Sequence, residues 1–153
     1  MNWVTVIWAM SVAVSLTFGA IHFVVWVQDR KSWENFWFSL MAVSVAVFAG
    51  FELLLMHAQT VAQFGTLHRW MHVPLFFVIV ALMAFIQSYF RTGRWWLLWT
   101  VIGLRLVVLV LDFSSGTSFN FQAVTDLLKF QFLGEMVSVP VALPTSWARL
   151  GES

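Results

Sequence analysis

From Trp3 to Val27 the chain carries no Asp, Glu, Lys or Arg; its first charged residue is Asp29. A helix needs about 20 predominantly apolar residues to cross the hydrocarbon core of a bilayer, and residues 3–27 supply that length without a charge. Three more such runs follow at about residues 36–56, 67–90 and 95–113. The composition agrees. Apolar residues make up 61% of the chain and charged ones 10%, against about 45–50% and about 25% in soluble domains. With 8 Lys and Arg and 7 Asp and Glu, a soluble domain of 153 residues could not cover its outside. The expected fold is therefore an all-α membrane protein, a four-transmembrane-helix bundle. A net charge of +1 offers no basic field for nucleic acid. The absence of Cys excludes disulfides, thiolate metal sites and cysteine nucleophiles. Ten Trp and sixteen Phe argue against disorder.

The first run is not read as a cleaved signal peptide. It lacks a basic leader, it is too long for a signal core, and no small-residue cleavage site follows it. Orientation comes from the basic residues in the short loops. QDRKSWEN, between the first two runs, holds Arg30 and Lys31, and RTGR, between the last two, holds Arg91 and Arg94. HAQTVAQFGT is followed only by Arg69, at the mouth of the third helix. Loops one and three should face the cytoplasm, so both chain ends lie outside. Trp3, Trp33, Trp70, Trp95 and Trp96 fall near span ends, where an aromatic belt sits.

Residues 114–153 read as an extracytoplasmic tail, partly helical and partly extended. SSGTSFNFQ is turn-rich, and VTDLLKFQF is expected to form a short amphipathic helix at the interface. GEMVSVPVALP alternates as an extended segment does, with Pro140 and Pro144 confining it to an edge or loop. A chain that stops at TSWARLGES after such a tail reads as an interrupted protein.

Ionisable groups inside spans are costly and usually face a bundle interior or a wet cavity. The candidates are His22, Glu52, His72, Arg105 and Asp112. Glu52 lies 17 residues beyond Asn35, and Asp112 lies 17 beyond Trp95. At the helical rise, each stands about 25 Å from the inner face. His72 sits near the same level, just inside the outer end of its span. Arg105 is near mid-membrane, with a stem that can reach outward, and it shares a helix face with Asp112. Pro74 frees the carbonyl of Trp70 and should kink the third helix near His72. The expectation is a polar cluster of Glu52, His72, Arg105 and Asp112 in the outer half of the bundle, serving as a ligand or signal-transmission site. The blander alternative is an Arg105–Asp112 or Arg105–Glu52 ion pair that only fastens helices.

His68 and His72 have the spacing of a chelating pair, and Met56-His57 and Met71-His72 would add ligands that suit copper. A haem would need two imidazoles at one depth, which His57 or His68 could provide with His72 but His22, at the other face, could not. Histidines at loop ends are ordinary interfacial residues, so no metal and no cofactor is expected. No Gly-rich phosphate loop, H-E-x-x-H or nucleophile elbow is present, and no catalytic residue is assigned. Gly19-Ala20 and Ala46-Ala49-Gly50 read as sites of close helix packing. A transporter is disfavoured, because nothing suggests internal symmetry or a broken pair of helices.

FELLLMHAQT followed by LHRWMHVPLF, then IGLRLVVLVLDF, then FLGEMVSVPVALPTSW, lie within residues 51–147, about two thirds of the chain. In these stretches it resembles the N-terminal multi-pass membrane region of bacterial PAS-containing sensor histidine kinases. The resemblance implies a membrane part of seven helices, N-terminus out, of which these would be the first four, in the bacterial inner membrane. PAS, phosphoacceptor and ATP-binding segments are missing from this sequence, so it implies a non-enzymatic input end and offers no histidine here as phosphoacceptor. The expected function is a membrane sensory module in signal transduction. Its partners would be the lipid bilayer and a kinase output module or other membrane subunits, with a homodimer also open, and no nucleic acid. The alternatives are a small accessory subunit of a larger membrane complex, or a b-type haem or copper protein.

Overall fold

The computed structural model describes residues 2–90, 95–114 and 121–144. Its elements are α1 (Trp3–Gln28), α2 (Trp33–Met56), α3 (Val61–Phe90), α4 (Trp95–Ser114), β1 (Phe121–Phe132) and β2 (Glu135–Pro144). All four helices are long and apolar enough to cross a membrane. The basic turn with Arg91 and Arg94 lies outside the described residues, as does TSWARLGES.

Three boundaries fall close to those expected, but α3 begins at Val61 rather than at residue 67. The reason is a local cap. The Thr60 hydroxyl accepts a hydrogen bond from the Gln63 backbone N–H at 3.2 Å, and the Gln63 side chain accepts one from the Gln59 N–H at 3.0 Å. Thr-x-x-Gln is a relative of the capping box, which satisfies N–H groups that the first helical turn leaves open. At the opposite end, Asp29 makes the α1–α2 turn: its carboxylate accepts from Lys31 N–H, and its carbonyl accepts from the Ser32 hydroxyl at 2.6 Å. The Arg30 guanidinium lies 4.0 Å above the Trp26 ring, a placement favoured by the ring's negative face.

The principal helix contacts follow chain order: α1 on α2, α2 on α3, and, more sparsely, α3 on α4. Close approach of α1 and α2 is centred on Gly19, which is buried and whose carbonyl accepts from Ser39 Oγ at 2.8 Å. A Cβ at Gly19 would meet Val43 Cγ2 at 3.1 Å and the Ser39 carbonyl at 3.5 Å. Ala46 and Ala49 are also buried. Ala20 and Gly50 do not share this role: Ala20 is exposed, and a Cβ at Gly50 would meet nothing within 4 Å. Replacing Gly19 with Val should therefore cost about 1–3 kcal/mol by overpacking. Gly50→Ala should leave stability unchanged or slightly raised, because Ala is the better helix former. Thermal unfolding of both variants in detergent checks this; equal melting temperatures would refute it.

The tail differs from the expected one. VTDLLKFQF is not a helix but the body of β1, which pairs antiparallel with β2 in a two-stranded sheet. The extended reading of GEMVSVPVALP agrees with β2. Phe132 pairs with Glu135 across Leu133-Gly134, both at positive φ (48° and 83°). Positive φ at both central residues is the signature of a type I′ turn, whose twist matches the strands it joins. Cross-strand pairs such as Leu128 with Val139 and Phe130 with Val137 then favour the sheet. Pro140 is tolerated because each strand of a two-stranded sheet is an edge. All-α is thus corrected: the protein is mostly helical, with one β-hairpin. Leu127 of the hairpin packs on a cluster of Leu55, Ala58, Phe64 and Met71 at the α2–α3 turn.

Candidate functional site

Two polar constellations stand toward the hairpin-bearing end. The first is a cavity of about 260 Å³ between α3 and α4, walled by Leu75, Phe76, Val108 and Leu109 and carrying His72, Arg105 and Asp112. Asp112 is 3% exposed, and its Oδ2 lies 3.8 Å from His72 Nε2. On the same helix as His72, the rings of His68 and His72 meet edge to face at 5.0 Å, with His68 stacked on Phe64. Trp70 against Phe113 closes the contact of α3 with the end of α4.

Three of the four residues expected to converge are thus brought together. Glu52 is not one of them. It sits on α2, whereas α4 packs principally on α3, so equal height along the helices does not make Glu52 a neighbour. Neither of the expected fastening pairs forms. Arg105 is exposed on its helix and makes no hydrogen bond or ion pair with the described residues. Helix α3 runs as one element through Pro74, which is buried.

The second constellation was not anticipated. The Glu135 carboxylate, at the start of β2, joins α1 and α2. Its Oε2 accepts from the Thr5 N–H at 3.1 Å, and its Oε1 accepts from the Thr5 hydroxyl at 2.6 Å. Thr5 stands in the first turn of α1, where N–H groups have no helical partner and the helix dipole favours an anion. Asn2, ahead of that turn, contributes no side-chain cap, so the cap arrives from 130 residues away. The same Oε1 is 2.7 Å from His57 Nε2. On the other side of the ring, His57 Nδ1–H donates to the Leu53 carbonyl at 2.8 Å. A carbonyl only accepts, so Nδ1 holds its proton, and in the protonated ring Nε2 holds a second one that it donates to the carboxylate.

The Leu53 carbonyl, then the Glu135 carboxylate, raise the His57 pKa above its ordinary 6.5, overcoming partial burial. The Thr5 hydroxyl, then His57, lower that of Glu135 below its ordinary 4.5. Two further bonds dock the hairpin: Ser138 Oγ donates to the Ala58 carbonyl at 2.8 Å, and Lys129 Nζ donates to Gln59 Oε1 at 2.7 Å.

For metal or haem, both ring nitrogens of His57 are already engaged. Among the described residues, no group of three or more His, Asp or Glu is placed to hold a metal ion. At the far end of α1 and α2, His22 Nδ1 pairs with Asn35 Oδ1 at 2.8 Å, apart from the other histidines. No family model, curated protein or solved structure matches this chain.

Proposed function

We propose that the chain is a membrane-embedded sensory input module, without catalysis of its own, and that the α3–α4 cavity is its ligand or signal-transmission site. The hairpin end faces away from the cytoplasm on this reading, and Arg30, Lys31, Arg91 and Arg94 face inward. The observation that carries it is the cavity itself, with His72, Arg105 and Asp112 on two adjoining spans and no ion pair made by Arg105 among the described residues. Structural ion pairs would be self-satisfied. An intramembrane charge without a partner in its own chain is met by water, lipid or a ligand, and the cavity beside Arg105 gives a ligand room. The sparse packing of α4 on α3 leaves α4 free to shift when that partner binds, which is the kind of two-state element that transmits a signal.

The test joins the chain to a kinase output domain and replaces Arg105 with Leu. The expected result is output locked at one level, with the variant as abundant in the membrane as the parent. Output that still tracks the parent's in every growth condition would refute the proposal.

A further inference from the structure

The cavity does not end at its charged residues. A second one, of about 330 Å³, continues along the same two helices past Val80, Ala84, Leu98 and Ile102 to Gln87 and Ser88. Phe76 lines both. On α3 the residues His72, Phe76, Val80, Ala84 and Ser88 follow at intervals of four, a ridge that winds about 160° round the helix as it rises. From His72 to Ser88 is about 24 Å at the helical rise. The two cavities, which share Phe76, form one groove between α3 and α4, with Trp37 of α2 also lining its second part. It is charged at the hairpin end and apolar for most of its length.

We propose that this groove binds a long-chain carboxylate, its head on Arg105 beside His72 and its single apolar chain laid along α3 toward Gln87 and Ser88. The ligand class rests on the reading of the cavity as a ligand site and follows from charge and shape. Arg105 is permanently charged, and in the described structure it has no anion. A neutral head would leave it so. Its planar fork matches a carboxylate in a bidentate pair. A head with two negative charges would instead face the buried Asp112 carboxylate in the same cavity. The cavity that continues from the charged one leaves room for one apolar chain behind a carboxylate head.

The test uses the full chain in lipid nanodiscs and a palmitic acid bearing a diazirine near its chain end. Irradiation should label the segment around Ala84–Ser88, and free palmitate should compete while its methyl ester does not. Arg105→Gln should reduce labelling about tenfold or more, the worth of a charge-assisted hydrogen bond. Arg105→Lys should recover part of it, and Ala84→Trp should abolish it with Arg105 intact. Equal competition by acid and ester, or labelling indifferent to both Arg105→Gln and Ala84→Trp, would overturn the proposal. A photoreactive lysophospholipid that outcompetes the acid would do the same. Carboxylate-selective labelling with unaltered kinase output keeps this site and removes the sensory reading; the reverse pattern removes only the ligand.

Discussion

Glu135→Gln should loosen the hairpin from the helix ends without unfolding the helices. Backbone amides of β2 near Met136–Ser138, and the first turn of α1, should exchange with solvent about two- to fivefold faster, the range a solvent-screened ion pair supports. Both are expected to change together, because one carboxylate serves both: it caps Thr5 and holds His57. A merely local role would affect the hairpin alone. The Ser138–Ala58 and Lys129–Gln59 bonds and the Leu127 contact remain, so the hairpin should stay folded and partly docked.

The same pair makes docking depend on pH. His57 has its pKa raised in the folded state, so its contribution is complete below its ordinary 6.5 and fades as pH climbs through the higher folded value. Glu135 has its pKa lowered, so its contribution is complete above its ordinary 4.5 and fades as pH falls through the lower folded value. Docking should therefore be tightest between about pH 4.5 and 6.5 and weaken on both sides. Hydrogen exchange of β2, divided at each pH by the intrinsic amide rate, would trace a minimum in that range. In Glu135→Gln the minimum should vanish, and a profile that stays pH-independent in the parent chain would contradict the assignment.

Much of the helical part was legible because the solvent does the selecting. A charge-free run such as residues 3–27 has few ways to satisfy its backbone in lipid except as a helix. The α3 start was readable too, in Thr60-x-x-Gln63, but hydropathy alone placed it too late. The hairpin was not legible. Leu133-Gly134 lacks the Asn-Gly or Asp-Gly that announces a type I′ turn, and DLLK within VTDLLKFQF suits a helix as well as a strand until its partner strand is known. For the cavity, rise per residue placed His72, Arg105 and Asp112 at compatible heights, and they do meet. The same arithmetic admitted Glu52. Height says how deep a residue lies; which helices are neighbours is decided by packing. Glu135 was invisible for a related reason. Its partners are Thr5 and His57, far away in sequence, and Asn2 before α1 is itself a favoured capping residue, so nothing in the sequence signalled that the cap would come from elsewhere.

On the proposed reading the hairpin, the Thr5–Glu135–His57 bonds and the charged end of the groove all face away from the cytoplasm. The chain contains no cysteine, so single substitutions report position against a silent background. Gln131→Cys marks the exposed hairpin, and Ser32→Cys marks the α1–α2 turn. With a membrane-impermeant maleimide on intact cells, strong labelling is expected at residue 131, and labelling at residue 32 only after permeabilisation. Labelling at residue 32 in intact cells, with residue 131 protected, would contradict it.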